Sequence, residues 1–134
     1  QHHLARLFAY CLTIKLNNPI FDAIIPIPLH HKRHISRGFN QATCIAKHLS
    51  EHLNIPLKTN LLKRTQDTFS QRKLDRSSRK KNIKHAFSAK MVPKHILLID
   101  DVVTTTATVN AASLALKKSG AVYIKVASVA RTPT

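Results

Sequence analysis

The chain has 134 residues, of which 22 are Lys or Arg and only 6 are Asp or Glu, giving a formal net charge of +16. Its length suits a single domain, residues 1–134, and its 43% hydrophobic content supports a packed core rather than global disorder. No apolar run is long enough to span a bilayer, and the two cysteines, Cys11 and Cys44, form no CxxC pair, which excludes membrane insertion and a Cys-based zinc site and suits a reducing cytoplasm.

In chain order, Leu4, Leu7, Phe8, Cys11 and Leu12 recur at helical spacing, which predicts a helix over residues 2–17 within an N-terminal helical segment 1–19. The run Asn17-Asn18-Pro19 stops it. Residues 23–27 (AIIPI) read as a short buried strand, with Pro26 unable to donate a ladder hydrogen bond. A basic loop follows over 28–39. Asn40 is placed to cap a second helix, with Ala42, Ile45, Ala46, Leu49 and Leu53 as its inward stripe. Residues 60–63 form a possible short strand.

Residues 65–85 differ in kind. They are poor in apolar side chains and carry Arg72, Lys73, Arg76, Arg79, Lys80, Lys81 and Lys84 against Asp67 and Asp75, which reads as a long, flexible, cationic loop or hairpin. Residues 96–99 (ILLI) form the most convincing strand, an uninterrupted apolar run suited to the middle of a parallel sheet. A helix over 107–119 comes next, with Lys117-Lys118 and then Gly120 at its end, and 122–130 is a further strand. Alternating strands and helices predict an α/β fold, in which ligands bind at the carboxyl ends of the strands.

The chemistry concentrates in residues 96–108, ILLIDDVVTTTAT. The apolar strand delivers Asp100 and Asp101 to its end. Thr104, Thr105, Thr106 and Thr108 lie in the turn leading into a helix, whose free N–H groups attract phosphate. Two carboxylates can accept hydrogen bonds from a vicinal diol, so the combination suits a sugar that bears both hydroxyls and a phosphate. Taken alone, the threonines would be no more than helix-capping residues. Other acidic-strand sites fail within the sequence. Gly38 and Gly120 are the only glycines, so no P-loop exists, and no acid follows Asp101, as a phospho-acceptor receiver domain would require.

The segment ILLIDDVVTTTAT resembles the 5-phosphoribosyl-1-pyrophosphate (PRPP) motif of type I phosphoribosyltransferases. Pro26-Ile27-Pro28-Leu29-His30, Arg33 and Arg37-Gly38-Phe39-Asn40-Gln41 are similar to a signature of the ComF/GntX family. Thr68, Gln71, Leu74, Arg79, Asn82 and Ala86-Phe87 match a third pattern of that family. The resemblance covers about residues 22–131. It implies a type I phosphoribosyltransferase fold, with a central mostly parallel sheet flanked by helices and the flexible basic loop 65–85 over the site. It further implies that Asp100 and Asp101 hold the ribose hydroxyls of PRPP. Thr104, Thr105, Thr106, Ala107 and Thr108 would cradle the 5′-phosphate. His30, Arg33, Arg37, Arg64 and Arg79 are the candidates for pyrophosphate, and Mg²⁺ would arrive with PRPP as cofactor.

ComF relatives are associated with DNA uptake in competence, so single-stranded DNA or DNA-processing proteins are implied as possible partners, with a non-catalytic accessory role as the alternative to transferase activity. Two departures stand out. Thr106 occupies a position where the motif usually has glycine; a β-branched residue resists positive φ, which predicts weakened PRPP binding with the fold retained. The cysteine-rich zinc module usual in the family is lost or lies before Gln1.

His48-Leu49-Ser50-Glu51-His52 has the form of an inverted zinc-protease motif. No later glutamate exists to complete the ligand set, so these residues read as a solvated helix face. Only seven aromatics are present, Phe and Tyr together, which gives a base-stacking platform weak support.

Overall fold

A computed structural model describes residues 2–16, 20–29, 39–65, 85–103 and 106–132. The elements run α1 (His2–Leu16), β1 (Ala23–Pro26), α2 (Gln41–Leu53), β2 (Leu62–Arg64), β3 (Phe87–Ala89), β4 (His95–Val103), α3 (Thr106–Lys118) and β5 (Tyr123–Arg131). Strand β4 is central, paired in parallel with β1 on one side and β5 on the other. The predicted strand 96–99 is therefore its apolar half, and the strand continues through both aspartates.

Both faces of β4 are buried, as an uninterrupted apolar run requires. Ile96 and Leu98 pack with Ala112 and Leu116 of α3, while Leu97 and Ile99 pack with Ala9 of α1 and Ala46 and Leu49 of α2. This is the expected α/β arrangement, a parallel sheet with helices on both faces. Strand β1 is buried throughout. On its outer edge Ile24 donates to Pro56 O at 2.9 Å and accepts from Lys58 N at 2.9 Å. Pro26 lies two residues on, so its missing N–H falls on that same outer edge and costs the β1–β4 ladder nothing.

Asn40 joins strand to helix. Its side-chain oxygen accepts from Ala42 N at 3.0 Å, capping α2, and its Nδ2 donates to Ile27 O at 3.1 Å, just beyond the carboxyl end of β1. At the end of α3, Gly120 takes a φ of 117°, and Ala121 N returns to Leu116 O at 3.1 Å. A left-handed glycine with this backbone return terminates the helix.

Strands β2 and β3 form a separate antiparallel pair in which Arg64 faces Phe87. Thr65 N donates to Ala86 O at 2.7 Å, so the two ends of the basic segment are clasped together. The intervening residues 66–84 lie outside the described residues. Strand β5 ends the sheet: among the described residues it pairs with β4 alone.

Candidate functional site

The site grows from the carboxyl half of β4. Asp100 and Asp101 follow Ile99 directly, and each turns its Oδ1 back to the next amide: Asp101 N donates to Asp100 at 3.0 Å, Val102 N to Asp101 at 2.8 Å. These bonds fix the side chains beside the strand end. Both residues are half-buried. Burial pushes the Asp100 carboxyl up to about 6, and the neighbouring Asp101 carboxyl adds to this by charge and by hydrogen bonding. The amide of Asp101 and the positive charge of Arg64 oppose the rise. The two carboxyls are thus close neighbours, and the positive charge of Arg64 reaches Asp100 from β2.

Arg64 is itself held. Its guanidinium lies over the ring of Phe87, 5.3 Å from the centroid, across the β2–β3 pair. A cation stacked on an aromatic face keeps its charge while losing side-chain freedom. Phe87 lay within a quoted sequence pattern, yet nothing in the sequence assigned it this position, because the contact depends on a pairing between residues 23 apart.

Thr106 opens α3, with Ala107 and Thr108 in its first turn. Thr106 is the first residue of α3, and a helical backbone is one that a β-branched residue adopts readily. Asp100, Asp101, Arg64, Thr106, Ala107 and Thr108 are described, with the acids four to five residues before the end of the segment that leads into α3. His30, Arg33, Arg37, Arg79, Thr104 and Thr105 lie outside the described residues.

Asp101 also borders a cavity of about 460 Å³ on the α1–α2 face of the sheet, with Phe8, Phe39, Gln41 and Cys44 among its walls. A neighbouring space of about 410 Å³ is lined by Leu29, Phe39, Gln41 and Asp101. Phe39 and Gln41 were legible only as part of a signature; their place beside the acidic pair comes from the Asn40 cap between them. His48 and Glu51 pair at 3.7 Å on α2; Glu51 and His52 are exposed as expected of a solvated face, but the His48 side chain is only 17% exposed. Among the described residues no group of three His, Cys, Asp or Glu side chains could hold a metal ion. No helix among them is long and apolar enough to cross a membrane.

Comparison with known proteins agrees with this geometry. The chain is 41% identical over 115 residues to Competence protein F of Haemophilus influenzae, covering 82% of this chain and 50% of that protein. It is 35% identical over 113 residues to DNA utilization protein YhgH of Escherichia coli K12, covering 83% of this chain and 50% of the relative. Competence protein ComFC of Streptococcus pneumoniae is 34% identical over 131 residues, with 96% of this chain and 56% of that protein covered. The chain spans about half the length of these curated relatives. No family model matches it.

Among solved structures, a purine phosphoribosyltransferase from Pyrococcus horikoshii superposes with a TM-score of 0.60 at 23% identity, over 96% of this chain and 74% of that one. A glutamine PRPP amidotransferase from Bacillus subtilis gives a TM-score of 0.63 at 16% identity, over 93% of this chain and 26% of that one. At these identities the likeness is one of fold.

Proposed function

Because the chain belongs to the ComF family and has the type I phosphoribosyltransferase fold, we propose that its acidic pair binds the ribose diol of PRPP in a phosphoribosyltransferase-type site. The observation that carries this reading is the position of Asp100 and Asp101 in the carboxyl half of the central strand, five to six residues before the start of α3. In parallel α/β sheets that is where ligands bind.

The residues fit such a ligand. Asp100 is held up at about 6 first by its burial and then by the Asp101 carboxyl that crowds it. Hydroxyl donors or a cation brought against the pair would relieve that crowding. Asp100 and Asp101 accept hydrogen bonds from the ribose 2′ and 3′ hydroxyls. The first backbone amides of α3, from Thr106 onward, attract the 5′-phosphate. Arg64, steadied on Phe87, supplies positive charge beside the acids and suits the pyrophosphate oxygens. Mg²⁺, carried with PRPP, would supply Lewis-acid stabilisation of the departing pyrophosphate. The product step is transfer of ribose 5-phosphate to an acceptor nucleophile with release of pyrophosphate.

A second reading rests on the charge of +16 and on relatives named for competence and DNA utilization. In it the domain is a non-catalytic accessory that binds single-stranded DNA or a DNA-processing protein. A thermal-shift series with Mg-PRPP, pyrophosphate and single-stranded DNA separates the two. The first reading expects stabilisation by Mg-PRPP that is lost in the double variant Asp100→Asn, Asp101→Asn. Stabilisation by DNA alone, untouched by that variant and removed by neutralising Lys80, Lys81 and Lys84, would establish the second.

A further inference from the structure

Strands β2 and β3 build a fixed platform beside the acidic pair. Thr65 N donates to Ala86 O at 2.7 Å and Lys90 N to Leu61 O at 2.9 Å, so the short pair is closed at both ends. The Ser119 hydroxyl donates to Ala89 O at 2.9 Å, which fastens β3 to the residue that follows α3. Phe87 is buried in the same core as Leu62, Leu98 and Leu116, so its ring cannot follow a moving neighbour. Arg64 stands opposite it in the ladder, half-buried, with its guanidinium 5.3 Å from the ring centroid. A planar guanidinium lies on a ring and still carries N–H donors along its edge, whereas an ammonium is a point charge without that plane. On an unsupported long side chain the same charge would spread over many rotamers, and little of it would act on any one carboxyl. Here it acts on Asp100, opposing the rise that burial and the Asp101 carboxyl impose.

We propose that Phe87 is a positioning residue for the candidate site: from within the core, its ring keeps the Arg64 charge within reach of Asp100. In this role an aromatic side chain serves the site without touching a ligand, and the charge is in place before one arrives. The inference rests on the reading of Asp100 and Asp101 as the binding site, but not on PRPP as what they bind. A phenylalanine that only filled the core would change stability on replacement and leave Asp100 as it was.

The titration of Asp100, followed by NMR of its carboxyl carbon and assigned by the loss of that signal in Asp100→Asn, reads the field directly. Phe87→Leu keeps an apolar core residue and removes the π face. Arg64→Lys keeps the charge and removes the plane. Each should raise the Asp100 midpoint by about 0.3–0.5 pH unit, the size of one charge withdrawn through a solvent-screened field. Arg64→Gln should raise it at least as far, and in that background Phe87→Leu should add nothing. Phe87→Tyr, which restores a π face, should return the midpoint to that of the wild type. If melting shows that Phe87→Leu does not fold, Arg64→Lys and Phe87→Tyr carry the test. A midpoint unmoved by Phe87→Leu and by Arg64→Lys, or a Phe87→Leu shift that persists undiminished without Arg64, would overturn the proposal. Calorimetry with Mg-PRPP keeps the two readings apart. Binding weakened about threefold by Phe87→Leu is expected if both hold. A wild type that takes no Mg-PRPP yet shows the full set of Asp100 shifts sinks the PRPP assignment alone and supports the positioning role.

Discussion

Asp100 carries the strongest electrostatic consequence of the fold. Its carboxyl is raised to about 6 in the folded chain, against an ordinary value of 3.8. The folded state therefore holds a proton that the unfolded state has already released, and stability falls as pH rises from about 4 to about 6. Above that window the ionised pair is a standing cost, which solvent screening of a half-buried group limits to about 1–2 kcal/mol. Asp100→Asn should be more stable than wild type by about this amount near pH 7.5, with the difference vanishing near pH 4, in urea titrations at both values. A gap that stayed constant with pH would mean that ionisation of Asp100 does not set the stability of the site. Thr106 opens a helix, so its departure from glycine amounts to a branched side chain at the exposed start of α3. Thr106→Gly should tighten Mg-PRPP binding by roughly threefold to tenfold in calorimetry, while losing about 0.5–1 kcal/mol of folding stability through backbone entropy. Unchanged affinity would show that the side chain does not crowd the phosphate.

Among the elements, the passage from β1 to α2 depends on one residue. Asn40 caps the helix through its oxygen and holds Ile27 through its nitrogen. Asn40→Ala removes both bonds and should cost about 1.5–2.5 kcal/mol in chemical denaturation. Asn40→Asp keeps the cap and loses only the bond to Ile27, so it should cost roughly half as much; equal losses would assign the whole effect to the cap-independent bond. This cap was readable in the sequence, as an asparagine immediately before an apolar helical stripe. So was the apolar half of β4, since four consecutive branched residues suit a strand buried on both faces. The continuation of β4 through Asp100 to Val103 was not, because it follows from parallel pairing with β5 rather than from local pattern. Strands β2 and β3 were legible only as one doubtful segment. Each is three residues long, and each finds its partner across a stretch whose composition says nothing of pairing. Helix α1 was legible by its period, which Leu4, Leu7 and Cys11 set together with Phe8 and Leu12, but periodicity cannot tell which of two apolar faces is packed.

At the scale of the whole molecule, the acids proved more informative than the bases. A surplus of Lys and Arg admits any anionic ligand, whereas the scarcity of acids leaves Asp100 and Asp101 as the only carboxylates adjacent in sequence. The fold places them where parallel α/β sheets commonly take ligands: the strand that fills the middle of the core carries both aspartates in its carboxyl half. The same sheet has an open side at β5, where Tyr123 and Val126 are exposed and the outward backbone groups pair with nothing among the described residues. A nine-residue strand whose outer edge has no partner among the described residues is a template on which another strand can grow. Lys125 and Arg131 lie along it, and the molecule's charge holds copies apart. That protection is colloidal and weakens as salt shortens the range of repulsion. Raising the salt from about 50 mM to about 500 mM should therefore turn a clear solution into one that scatters light and binds thioflavin, and Val126→Lys should delay the change. Salt-independent clarity would show the edge to be silent. Clouding that follows the salt would give the positive charge a task unrelated to any ligand, holding copies apart along the open edge of β5.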